Sequence, residues 1–416
     1  MQSNVFLDRT LVAVNVDGIV HLMLELEAPA AVASKRAPID AVVVLDRSGS
    51  MNGAPLHSVR EATCNLLRLL GPDDRLGVVV FDDEATMVLP LVTHDLDDAS
   101  ARVRAVTSGG STNLSGGWLK GLEMLLSDVR PNALRRIIVL TDGHANIGIV
   151  DSDELCGLLG SARDQGVTTS AIGFDDGYDE VLLAALADAG AGNDYWCAGP
   201  DQAPQVFAAE FDGLASVVAQ NISVEFRPTD AAEIAVLNEY PMIEVAGGVQ
   251  VSLGDAYGGE RRRVVAMYRL AAPDATGEID LGELVIRWVS VVGDVALRTT
   301  RIRVTVNATD DPSAPDEAAS PRVTEQVNVL KAARSRKEAH ESMQRGDSAA
   351  ARVALACAVD TLRLIGGEDA QLAQAQADLD QLDRGGWNAA SSKRLFSASR
   401  SGQRGRKSQY DDPTEP

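Results

Sequence analysis

The chain has 416 residues, with 60 acidic and 38 basic side chains and a formal net charge of −22. At roughly 150 residues per domain, two or three domains are expected. Apolar residues make up 45% and charged residues 24%, which excludes a disordered or fibrous chain. So acidic a balance also disfavours nucleic acid and anionic membrane surfaces as partners, because both are polyanions. The four cysteines, Cys64, Cys156, Cys197 and Cys357, form no CxxC pair, so no zinc ribbon or thioredoxin-type site is expected. Scattered thiols in a large chain read as reduced and packed. The opening MQSNVFLDRT has neither the basic nor the apolar region of a signal peptide, and runs such as 41–45 and 137–140 are far short of a membrane span. Together these point to the cytoplasm.

Residues 5–28 alternate like strands, and Asp17-Gly18 between two such runs predicts a hairpin, within an N-terminal segment 1–38. From residue 39 to 220 the pattern changes. Short continuous apolar runs (AVVVLD, LGVVVF, RRIIVLTD, VTTSAIGF) alternate with helical stretches near 57–70, 114–129, 151–165 and 203–215. Strands of that kind are buried on both faces, so the alternation predicts parallel βαβ units in a doubly wound sheet. Residues 221–308 return to strands separated by Gly, Asp and Pro turns. An isolated hairpin is only marginally stable, so the N-terminal pair is expected to join these strands in one β-sandwich, with the α/β domain inserted. Residues 309–321 read as a linker. Residues 322–384 read as about three helices broken at Gly346-Asp347 and Gly366-Gly367, with a faint likeness to one tetratricopeptide hairpin. The Ser-, Gly- and Arg-rich residues 385–416 read as a mobile tail.

The chemistry concentrates at the end of the first βαβ strand, where Asp46 is followed by Ser48 and Ser50. Ligands of an open α/β sheet gather at the carboxyl ends of its strands. Thr112, in the Gly-rich loop SGGSTNLSGG before a helix, and Asp142, directly after the strand RRIIVLT, can reach the same crevice. Two carboxylates, two serines and a threonine form an all-oxygen set that suits a hard divalent cation, Mg2+ or Mn2+. By itself DxSxS also reads as a turn with an Asp helix cap, and Asp82, Asp83 and Glu84 read as a solvated loop. His144 reads as an exposed rim residue, and Trp118 and Met124 as core contacts.

The run Asp46-x-Ser48-x-Ser50, then Thr112, then Thr141-Asp142-Gly143, resembles the metal-ion-dependent adhesion site of von Willebrand factor type A domains over about residues 39–217. FDDEA at 81–85, TNLSGG at 112–117 and the flank LGDAYGGERRRVV are similar to bacterial chloride-channel-like and inter-α-trypsin-inhibitor-like members, although this chain has no membrane segment. The resemblance implies that Asp46, Ser48, Ser50, Thr112 and Asp142 are metal ligands, some acting through water. It also implies a protein partner that completes the shell with an Asp or Glu carboxylate, such as an ATPase of the AAA type or a membrane or secretion component.

Two other classes are weighed against this one. A haloacid-dehalogenase-like phosphoryl transferase also places an Asp after its first strand, but it needs a second Asp where this chain has Ser48, and only Lys120 offers itself as the phosphate-neutralising lysine. No GxxxxGK[ST] and no Ser-His-Asp or Cys-His arrangement occurs, so no catalytic residue is named. A structural scaffold without metal-gated binding is the third class. The reading is a non-enzymatic, Mg2+-dependent protein-binding module: a doubly wound α/β domain in a β-sandwich, followed by a helical region.

Overall fold

The computed structural model describes residues 1–31, 36–142, 144–174, 177–197, 199, 202–292, 295–313, 320–365 and 370–404. In the α/β domain the strands are β4 (Ile39–Asp46), β5 (Arg75–Phe81), β6 (Ala85–Val92), β7 (Leu134–Thr141), β8 (Val167–Phe174) and β9 (Ala191–Cys197). The helices are α1 (Ala54–Leu69), α2 (Leu96–Arg104), α3 (Leu114–Ser127), α4 (Ser152–Asp164), α5 (Glu180–Ala189) and α6 (Ala203–Ala215). The sheet order is β6-β5-β4-β7-β8-β9, parallel except for the β5–β6 pair. Counted from β4, this is the doubly wound order 3-2-1-4-5-6, whose switch point falls beside β4 and opens a crevice at its carboxyl end.

Period-2 alternation explains why β4 is buried throughout. Val43 and Leu45 join Leu56, Val59, Phe207 and Phe211 of α1 and α6 on one face. Val42 and Val44 join Trp118, Leu125 and Leu155 of α3 and α4 on the other. Trp118 is a core residue whose indole donates to Thr169 Oγ1 (3.1 Å), and Met124 is likewise buried.

Two antiparallel sheets make the sandwich. The first contains β1 (Gln2–Leu7), β3 (Gly18–Glu27), β14 (Arg261–Leu270) and β11 (Ala232–Val236), in the order β1-β3-β14-β11. The second contains β12 (Met242–Val245), β13 (Gly248–Tyr257), β10 (Val217–Pro228), β15 (Gly277–Ser290), β16 (Ala296–Thr309) and β2 (Leu11–Ala13), in the order β12-β13-β10-β15-β16-β2. The α/β domain is therefore inserted between β3 and β10. The Asp17-Gly18 turn does not close the predicted hairpin. β1 pairs with β3, Leu7 opposite Leu22, while β2 crosses to the other sheet and runs parallel to β16. Asp8 N still donates to His21 O (2.9 Å), but the buried Asp8 carboxylate takes the His21 amide (2.8 Å) and ring (2.9 Å) in place of a backbone acceptor, which ends the run between Leu7 and Leu11.

Domain and sandwich meet through a buried polar network. Arg136 of β7 is 1% exposed, donates to Ser170 Oγ (2.8 Å), and lies 3.4 Å from Glu210 of α6 and 3.3 Å from Asp255 of β13. The C-terminal part holds α7 (Pro321–Gln344), α8 (Ser348–Arg363), α9 (Ala370–Asp383) and α10 (Ala389–Gln403). α7 covers the outer face of the four-stranded sheet, packing Val323, Val327 and Leu330 on Met23 and Val265.

The break at Gly346-Asp347 separates α7 from α8, with Asp347 capping Ala350 N; the one read at 366–367 lies outside the described residues, as do 314–319 of the linker. Residues 389–403 are not a tail. Leu395 is fully buried, and Arg400 bridges Asp188 (3.0 Å) and Asp194 (2.8 Å), so this segment is a helix docked on the α/β domain. Basic residues that read as solvated in sequence find carboxylates 200 positions away. Cys357 is exposed rather than packed.

Candidate functional site

Three loops converge at the carboxyl ends of β4, β5 and β7. The first leaves β4 at Asp46 and turns through a single 3₁₀ turn, Gly49–Met51, into α1. The second, between α2 and α3, is bonded to it by Gly109 N to Arg47 O (2.6 Å) and Gly49 N to Gly110 O (3.0 Å). This approach requires glycine at 109, where a Cβ would come within 1.9 Å of Asp82 Oδ2. The third leaves β7 after Thr141 and donates from Asn146 N to Thr112 O (3.1 Å).

Four of the five expected residues form one hydrogen-bonded chain. Ser48 N donates to Asp46 Oδ1 (2.7 Å), the Ser48 and Ser50 hydroxyls lie 3.1 Å apart, and Ser50 Oγ donates to Asp142 Oδ1 (2.7 Å). The fifth, Thr112, is buried in the middle loop and anchored by its backbone, its N–H donating to Asn146 Oδ1 (2.9 Å) and its carbonyl accepting from Asn146 and Ile147. Asp46, Ser48 and Asp142 are buried, whereas Ser50 faces solvent.

Asp46 is fully buried, and among the described residues no ion pair reaches it; Arg47 turns instead to Asp82 (2.9 Å). Burial therefore pushes its carboxyl up to about 6, against the hydrogen bonds of Thr141 and Ser48 and with added repulsion from Asp142. A buried, uncompensated carboxylate beside a second one, in a crevice lined by hydroxyls, fits a divalent cation. Among the described residues no three His, Cys, Asp or Glu side chains converge as metal ligands; this donor set has two carboxylates, and the rest are hydroxyls.

Thr141 enters the sequence reading only as part of the Thr141-Asp142-Gly143 motif, with no role of its own, yet its hydroxyl donates to Asp46 Oδ2 (2.5 Å). The signal was there, a hydroxyl ending the strand that pairs with β4, but only the register of Leu45 against Leu140 brings the two together. Asn146 has no part in the sequence reading. The 82–84 segment is not simply solvated: Asp82 is buried against Arg47, and Asp83 Oδ1 accepts from Ser111 N (3.1 Å), so these carboxylates order the middle loop. His144 is a rim residue, its side chain 69% exposed and 3.5 Å from Asp179.

A family model described as the von Willebrand factor type A domain matches residues 40–205. Those residues are a von Willebrand factor type A domain. Among solved structures, the von Willebrand factor type A protein from Catenulispora acidiphila aligns over 95% of this chain and 96% of its own, with a TM-score of 0.77 and 16% identity. That likeness shows the fold, sandwich and helices included. The E3 ubiquitin-protein ligase WAV3 of Arabidopsis thaliana is 29% identical over 57% of this chain and 32% of its own length. The inter-alpha-trypsin inhibitor heavy chain H3 of Mus musculus is 27% identical over 49% of this chain and 24% of its own. The chain thus spans a third or less of these two relatives. von Willebrand factor type A domains commonly mediate protein–protein interactions. Among the described residues, no helix is long and apolar enough to cross a membrane.

Proposed function

We propose that this protein is a metal-dependent protein-binding module that takes a partner's Asp or Glu side chain at a Mg2+ (or Mn2+) ion held by Asp46, Ser48, Ser50, Thr112 and Asp142. The observation that carries the reading is the chain Asp46–Ser48–Ser50–Asp142, which spans two strand ends around a buried carboxylate that no cationic side chain pairs among the described residues. Bound there, a divalent cation supplies concentrated positive charge and an open coordination position for an incoming carboxylate. The protein's share is preorganisation. Thr141 and the Ser48 amide fix the Asp46 carboxylate, and the backbone bonds from Gly49 N to Gly110 O, Gly109 N to Arg47 O and Asn146 N to Thr112 O hold the three loops at one place.

The charge balance supports a metal-gated mode. A chain carrying −22 repels an acidic ligand over most of its surface, and a cation in the crevice reverses that sign locally. The phosphoryl-transferase alternative is disfavoured because Lys120 points from α3 to Glu123 (2.8 Å) at the surface.

Calorimetric titration with Mn2+ tests the site: one equivalent is expected, lost in Asp46→Ala and Asp142→Ala proteins that keep their circular dichroism. Partner affinity measured in Mg2+ and in excess chelator tests the mode. Unchanged Mn2+ binding by Asp142→Ala, or equal partner affinity in the two buffers, would refute the proposal.

A further inference from the structure

α10, from a segment that composition reads as a tail, delivers a lysine into the α/β domain. Lys393 is 4% exposed; its ammonium donates to the Tyr178 carbonyl (2.8 Å) and to Glu180 Oε2 (2.8 Å), and lies 3.8 Å from the centroid of the Tyr178 ring. An ammonium is tolerated in such a place only where fixed partners replace its water, so three partners around one Nζ mark a specific contact. Glu180 is also approached by His340 (3.8 Å) and Gln344 (3.5 Å) of α7.

Beyond this cluster the contacts run straight to the crevice. The Tyr178 ring is buried on Gly173 of β8, so close that a Cβ there would fall 2.3 Å from the ring edge. Gly173 is the register partner of Thr141, whose hydroxyl holds Asp46. Next to Tyr178, a Cβ on Gly177 would meet the Asp142 carbonyl at 3.2 Å, and Asp179 faces His144 at 3.5 Å. Residues 177–180 thus touch the end of β7 and the loop after it on one side and the C-terminal helices on the other.

We infer that Lys393 is a positioning residue for the crevice: through Tyr178 and Glu180 it holds residues 177–180 against the Thr141–Asp142 end of β7, so that docking of α10 and cation affinity are energetically coupled. This rests on the proposed cation reading of the crevice. The coupling needs no wire beyond these packed groups, and by reciprocity a partner that pulls α10 away lowers cation affinity by the factor that cation binding tightens the dock.

The test uses the full chain with Lys393→Met, which keeps the stem and removes the charge, and Lys393→Arg, which restores a charge. Amide hydrogen exchange is followed in metal-free protein, then Mn2+ affinity is measured. In Lys393→Met, faster exchange at residues 177–180 and 144–146 is expected, with α10 still protected around Arg400. Mn2+ binding should weaken by about five- to tenfold, within the usual range of coupling between sites. Lys393→Arg should recover most of both effects, and Glu180→Gln, a milder change, should reproduce them in part. Exchange confined to α10, with wild-type protection at 177–180, would overturn the inference, as would an unchanged Mn2+ affinity. Absence of Mn2+ binding by the wild-type protein would refute the cation reading instead, and the metal-free exchange comparison would still decide whether Lys393 holds this segment.

Discussion

Replacing Asp46 by Asn in metal-free protein should stabilise the fold at neutral pH. Burial raises the Asp46 carboxyl from its ordinary 3.8 to about 6. At 1.36 kcal/mol per unit, ionised Asp46 costs the native state up to about 3 kcal/mol. The sign follows from proton uptake. Between pH 3.8 and 6 the native state holds a proton that the unfolded chain has lost, so stability falls as pH rises through that window and stays reduced above it. Asn is isosteric and uncharged, though its amide must reverse the hydrogen bond to Thr141, so a gain of about 1–3 kcal/mol at pH 7.5 is expected, vanishing below about pH 4. Urea denaturation of both proteins in chelator, at pH 7.5 and pH 4, measures it. Excess Mg2+ should reverse the order, since ligand stabilises only the protein that binds it. Equal stabilities at pH 7.5, or a gain independent of pH, would refute the argument that the site stores electrostatic strain for a cation.

Three further outcomes are expected. Arg136→Met should cost roughly 3–5 kcal/mol by urea denaturation, because Glu210 and Asp255 stay buried when their shared cation is removed. Gly109→Ala should lose about 1–3 kcal/mol and weaken Mn2+ binding in titration, since the new Cβ meets an Asp82 carboxylate already tied to Arg47. Burial lowers the proton affinity of His340, which faces Glu180, Lys393, Ser392 and Phe396 and adjoins Glu341. Acidification below pH 6.5 should therefore destabilise the wild-type protein more than His340→Gln, read as denaturation midpoints at pH 8 and pH 5.5.

The α/β domain was legible in the sequence because its signals are local. A strand such as AVVVLD buried on both faces must be apolar at every position, and an Asp at its carboxyl end, followed by spaced hydroxyls, announces a crevice whatever surrounds it. Strand ends and loop composition made Asp46, Ser48, Ser50, Thr112 and Asp142 candidates one by one, and the family resemblance joined them into one set. The tertiary structure decided what depends on distant partners. Whether Asp17-Gly18 closes a hairpin turned on Asp8 being buried against His21, and on β2 finding β16 nearly 300 residues later. Whether 389–403 is tail or helix turned on carboxylates of α5 and β9 that no composition window contains. The Thr141 bond to Asp46 likewise needs the β4–β7 register, and the Lys393 contact needs a docked helix. Apolar periodicity is written along the chain, whereas a charged side chain acquires its meaning only from the charge that folding brings opposite it.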